Sequence, residues 1–141
     1  LSEALKELRN YVGPQRRMKI KVIKNDIFID DYAHQPEQMN EVLSFINRVK
    51  EDRETILFYK PDRISRLLDF KNEFVKAFNK FDKVYLIPYH DINEEVLKEL
   101  ISEKVNLYSK LKIDKDKKYV FAFLTSKSII REIEQIKDLR K

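Results

Sequence analysis

Residues 27–39 read IFIDDYAHQPEQM, and the periodicity of the chain changes inside this stretch. Ile27–Ile29 is an apolar run that stops on Asp30 and Asp31. From Pro36 onward the next apolar positions, Met39, Val42, Leu43, Ile46 and Val49, recur at the 3.6-residue spacing of a helix face. A strand therefore runs into a polar turn and then into a helix that starts on a proline, whose missing N–H is tolerated in a first helical turn. A plain turn could have used glycine or asparagine. Two aspartates, a tyrosine and a histidine there imply that something polar is held at the end of the strand.

The same grammar extends in both directions. Upstream, Leu1, Ala4, Leu5 and Leu8 predict an opening helix that ends near Asn10 and Gly13, and MKIKVIK (18–24) alternates at period two, joined through Asn25-Asp26 to residues 27–30 as a hairpin. Downstream, TILFY (55–59) predicts a buried strand, Leu67, Phe70, Phe74 and Phe78 a helix, and KVYLIP (83–88) another strand. Val96, Leu97, Leu100 and Ile101 predict a helix capped by Asn93, VNLYS (105–109) a short strand, YVFAFL (119–124) a strong one, and Ile129, Ile130, Ile133 and Ile136 a final helix. Strands alternating with helices predict an α/β fold: a Rossmann-like three-layer domain with a mostly parallel sheet and an N-terminal hairpin, in which 55–59, 83–88 and 119–124 are parallel and central. The 141 residues suit a single domain, 1–141.

Composition excludes several functions. No apolar run approaches the roughly 18 residues that span a bilayer, so no membrane role is expected. The absence of cysteine removes thiolate metal sites and disulfides and fits a cytoplasmic setting, and the N-terminal stretch reads as an amphipathic helix, not a signal peptide. The formal charge of +5 is distributed through stretches such as KEDRE, KIDKDKK and REIEQIKDLRK, where acids interleave with bases as on solvated faces, so no nucleic-acid partner is expected. Gly13 is the only glycine, and neither a P-loop nor a dinucleotide fingerprint exists in the chain.

In a parallel sheet ligands bind beyond the carboxyl ends of the strands. There lie Asp30 and Asp31, then KPDRISR (60–66), YHDIN (89–93) and TSKS (125–128). Asp31 could accept bonds from a hydroxyl pair and His34 could approach an anion; helix capping by an aspartate explains the same spacing equally well. A metal site is weakly supported, with one nearby histidine. Of Arg16 and Arg17, on opposite faces of a strand, at most one reaches the same site. Arg63 and Arg66, three apart, could clamp a carboxylate or phosphate, and surface arginines at a helix start would look alike. His90 reads as a loop histidine.

YVGPQRR (11–17), IDDYAHQPEQ (29–38) and PDRISR (61–66), in this order, resemble three motifs of the Mur ligase C-terminal domain, nearest to the member that adds L-alanine. The resemblance implies a fragment of an ATP-dependent amide-forming ligase of peptidoglycan precursor synthesis. ATP phosphorylates the carboxylate of UDP-N-acetylmuramate, and L-alanine attacks the acyl phosphate. ATP and Mg²⁺ would be held mainly by a central domain, the UDP-sugar by another, and this domain would close over them and be inactive by itself. Carried over by position, Asp31 would hold the ATP ribose, His34 would sit near the phosphates, Arg17 would contact the phosphate side, and Arg63 and Arg66 would take the amino-acid carboxylate. The chain departs from the family pattern at Asp62, at HDINEE (90–95) and at LTSKS (124–128), which keeps open an alternative: a diverged, non-catalytic nucleotide-binding domain.

Overall fold

The computed structural model describes residues 19–31, 36–60, 64–87, 98–108, 111–124 and 130–139. The expected opening helix, Asn93 and the YHDIN and TSKS turns lie outside the described residues.

Strands β1 (Lys19–Ile23) and β2 (Asp26–Asp31) form the hairpin. The turn is Lys24–Asn25, with Ile23 paired to Asp26, so Asp26 is not a turn residue as the sequence suggested but the first residue of β2. Lys24 takes a φ of 56° to close it. The Asp26 carboxylate is drawn inward, accepting a 3.0 Å bond from the Tyr119 N–H at the start of β6. Helix α1 (Pro36–Val49) starts on its proline and buries Met39, Val42, Leu43, Phe45, Ile46 and Val49. Strand β3 (Glu54–Tyr59) follows.

The single helix expected after β3 is two, α2 (Ile64–Asp69) and α3 (Lys71–Phe78), broken at Phe70, whose φ of −115° and ψ of 33° leave the helical region. Leu67, Phe74 and Phe78 still reach the core, but Phe70 is 49% exposed. β4 (Lys83–Leu86), a one-turn 3₁₀ helix (Lys98–Leu100), β5 (Val105–Leu107), β6 (Tyr119–Leu124) and α4 (Ile130–Leu139) complete the described chain. Of the helix expected around 96–101, the described part is that single turn, with Leu100 buried and Ile101 exposed.

The six described strands join one sheet in the order β1-β2-β6-β3-β4-β5, antiparallel, among these, only in the hairpin. The expected central strands, β3, β4 and β6, are interior and parallel. Strand alternation splits the core. Ile27, Ile29, Leu57, Tyr59, Val84, Leu86, Ala122 and Leu124 pack against α1 and α3. Phe28, Phe58, Tyr85, Phe121 and Phe123 pack on the other face with Ile136 of α4. Phe58 stacks on Phe123 at 4.8 Å between ring centroids. The result is the three-layer architecture that the periodicity implied.

The amino edge of the sheet is fastened by polar side chains. Arg53, inside the KEDRE stretch read as a solvated face, is buried: its Nε donates to the Asn25 carbonyl at 2.8 Å and a terminal nitrogen to the Lys50 carbonyl at 3.3 Å, and it pairs with Glu51 at 3.2 Å. Thr55 and Asp82 hold the starts of β3 and β4 together. The Thr55 N–H and hydroxyl both donate to Asp82 Oδ2, at 2.8 and 3.0 Å, and the Asp82 N–H donates to Thr55 Oγ1 at 2.9 Å. No described helix is long and apolar enough to cross a membrane.

Candidate functional site

The carboxyl edge of the sheet has a different character. Register aligns Asp31, Leu124, Tyr59, Leu86 and Leu107 in one row across β2, β6, β3, β4 and β5. Main-chain bonds continue past this row, from the Lys60 N–H to the Leu124 carbonyl (3.3 Å), the Ile87 N–H to Tyr59 (2.9 Å) and the Tyr108 N–H to Leu86 (2.8 Å). The described strand ends are therefore level along this edge.

Asp31 is the polar member of that row, half-buried. Its position follows from topology. The chain leaves β2 toward α1, which packs on one face, and leaves neighbouring β6 toward α4, which packs on the other. Adjacent parallel strands whose following helices lie on opposite faces open a crevice at their carboxyl ends, the place where α/β sheets take ligands. Asp31 is the last residue of β2 at this switch point. Its neighbour Asp30 belongs to the other face, opposite Lys19 of β1. Burial pushes the Asp30 carboxyl above its ordinary value, and the Lys19 charge partly offsets that rise.

Arg17, His34 and Arg63 lie outside the described residues, as do Asp62 and His90. Arg66 is placed by its backbone in α2, which follows β3. β3 is two strands from β2, so the turn after β3 leaves the same edge about 10 Å from Asp31, twice the strand spacing. The structure thus places Asp31, at the end of β2, and Tyr59 and Lys60, at the end of β3, along one edge. The described residues contain no group of three or more His, Cys, Asp or Glu able to hold a metal ion.

Sequence reasoning missed Arg53 and the Thr55–Asp82 pair. Both fasten the amino edge, away from the crevice, and their partners are largely main-chain groups, which leave no mark in a sequence.

A family profile described as the Mur ligase glutamate ligase domain matches residues 16–138. A UDP-N-acetylmuramate–L-alanine ligase from Pelagibacter ubique is 40% identical over 92 residues, covering 64% of this chain and 20% of its own length. The crystal structure of a UDP-N-acetylmuramate–alanine ligase from Thermotoga maritima superposes with a TM-score of 0.66 at 24% identity, over 95% of this chain and 33% of its own. A MurF ligase from the same organism, solved in complex with ADP, superposes with a TM-score of 0.56 at 16% identity, over 91% of this chain and 31% of its own. The chain thus spans about a fifth of the curated relative and about a third of each solved chain.

Proposed function

The chain belongs to the Mur ligase family, as its glutamate ligase domain, and from that premise we propose that it is the C-terminal, closing domain of an ATP-dependent ligase joining L-alanine to UDP-N-acetylmuramate through an acyl phosphate. The observation that carries this reading is the placement of Asp31, a half-buried carboxylate at the carboxyl end of β2 where the helices following β2 and β6 diverge to opposite faces. A carboxylate at such a switch point suits a ribose, whose vicinal hydroxyls donate to its two oxygens. The MurF ligase that shares this fold over 31% of its own chain was solved in complex with ADP, which suits a nucleotide-using enzyme as a whole.

In this proposal His34 and Arg17 serve the phosphate side of ATP, and Arg63 and Arg66 anchor the carboxylate of the incoming amino acid. A planar guanidinium fork fixes a carboxylate's orientation while the amine stays neutral and free to attack. The chain's lone glycine cannot build a phosphate cradle. Triphosphate and Mg²⁺ are accordingly assigned to a central domain, the UDP-sugar to another, and the whole enzyme to the cytoplasm. Mg²⁺ supplies charge neutralisation on the transferring phosphoryl group.

The test is a crossed pair of variants in the complete enzyme. Asp31→Ala is expected to raise KM for ATP with little change in kcat, a loss of about 1.5–3 kcal/mol of binding, while KM for L-alanine holds. Arg63→Lys is expected to raise KM for L-alanine about tenfold, ~1.4 kcal/mol, and leave that for ATP nearly untouched. An unchanged KM for ATP in the first would leave Asp31 as the polar end of β2 with no part in ATP binding; a raised KM for ATP in the second assigns the arginines to the nucleotide. The departures at HDINEE and LTSKS favour a second reading, a diverged nucleotide-binding domain without turnover. A complete reading frame lacking a G-K-[ST] loop upstream of Leu1 would decide for it.

A further inference from the structure

On the hairpin flank, between β1–β2 and α4, opens a groove of about 470 Å³. Its floor is apolar: Phe28 and Phe123, 7% and 1% exposed, with Ile23 beside them. Lys19, Lys21, Asp30, Glu134 and Lys137 stand around it. Asp31, on the opposite face of β2, takes no part, so this groove is separate from the crevice assigned to the nucleotide. Its size falls within the range of small-molecule sites, which combine an apolar lining with a few convergent polar groups.

The charges select the ligand. Lys137 pairs with Glu134 at 3.8 Å, and Lys19 faces Asp30 across the hairpin. Lys21 is the third cation, so the described lining carries one positive charge in excess. We propose that the groove is a binding site for a small ligand with a flat apolar body and a single anionic group, the body over Phe28 and Phe123 and the anion beside Lys21. The wall acid does not oppose this. Lys19 faces Asp30 across the hairpin, and burial pushes the Asp30 carboxyl above its ordinary value, so it repels an anion less than an exposed, unpaired carboxylate would. The cationic alternative would place a fourth positive charge among three lysines.

The test is equilibrium titration of the full chain with naphthoate, with the neutral naphthamide and the cationic naphthylmethylamine as comparators. Saturable one-site binding of naphthoate is expected, with the amide about tenfold weaker and the amine weaker still. Main-chain amide resonances of Ile23, Phe28, Asp30 and Lys137 should shift together. Lys21 is exposed, so Lys21→Glu leaves the core intact; it should weaken naphthoate about tenfold and leave naphthamide unchanged, with Lys21→Gln intermediate. Absence of saturable binding, equal affinity for acid and amide, indifference to Lys21→Glu, or shifts clustered elsewhere would each overturn the proposal.

Discussion

Replacing Asp82 with alanine removes two accepted hydrogen bonds at one oxygen, those from the Thr55 N–H at 2.8 Å and the Thr55 hydroxyl at 3.0 Å. Asp82 itself is exposed, which places a charge-assisted bond at the lower end of its range, about 1.5 kcal/mol. Thr55 is 4% exposed. Its N–H, at the start of an interior strand, would lose its partner with little access to water, a penalty of about 1–3 kcal/mol. The hydroxyl suffers less, because it still accepts the residue-82 N–H at 2.9 Å and can rotate. The two contributions overlap, so the expected destabilisation for Asp82→Ala is about 2–3 kcal/mol, a fall of roughly 6–12 °C in Tm for a domain of this size. Asp82→Asn keeps an acceptor in the same place and should recover at least half of the loss. Urea unfolding monitored by tyrosine fluorescence and far-UV circular dichroism measures both, together with Thr55→Val and the double variant. The reasoning is refuted if Asp82→Ala costs less than about 0.5 kcal/mol, or if asparagine is as damaging as alanine. Additive single variants would show that Thr55 and Asp82 are not coupled as the distances require.

Three further outcomes are expected. Arg53→Met keeps the buried stem but strips donors from the Asn25 and Lys50 carbonyls, and should cost about 2–3 kcal/mol in urea, with Arg53→Lys recovering less than half because one ammonium cannot span both acceptors. Asp30→Asn should raise Tm near neutral pH and have no effect in acid. A carboxyl raised by burial holds its proton to higher pH folded than unfolded, so its contribution is most favourable below its unfolded value and is lost as pH rises through the window up to the folded one. Thermal melts at about pH 7 and about pH 3 read that difference; Lys19 and Lys21 of β1 and Glu134 and Lys137 of α4 surround the group and limit its size. Finally, this chain alone, given ATP, Mg²⁺, L-alanine and UDP-N-acetylmuramate, should release no phosphate above background, and turnover would remove the assignment of the phosphate cradle to another domain.

The helices and strands were legible because each declares itself locally. YVFAFL is apolar at every position because β6 is buried on both faces between β2 and β3. The stripe from Met39 to Val49 repeats every 3.6 residues because α1 covers one face of the sheet. The proline at the start of α1 and the two-residue connection of β1 to β2 likewise belong to short-range chemistry. The break at Phe70 was not legible, since Leu67, Phe70, Phe74 and Phe78 keep helical spacing through it, and only the packing of α3 shows that Phe70 stays outside.

Strand order belongs to tertiary structure. Several arrangements of the same βα units bury the same residues, and the period-two pattern is identical in all of them. β6, the last described strand, inserts between β2 and β3, where its Phe121 and Phe123 meet Phe28 and Phe58. This insertion makes Leu124 the neighbour of Asp31, at a point where the helices following the two strands pack on opposite faces. The burial of Arg53 was hidden for a related reason: its acceptors are carbonyls that every residue possesses, so a solvated and a buried arginine look the same in sequence. Local periodicity therefore determined most of the described elements, while long-range pairing alone decided which strand ends face one another and where charge is enclosed.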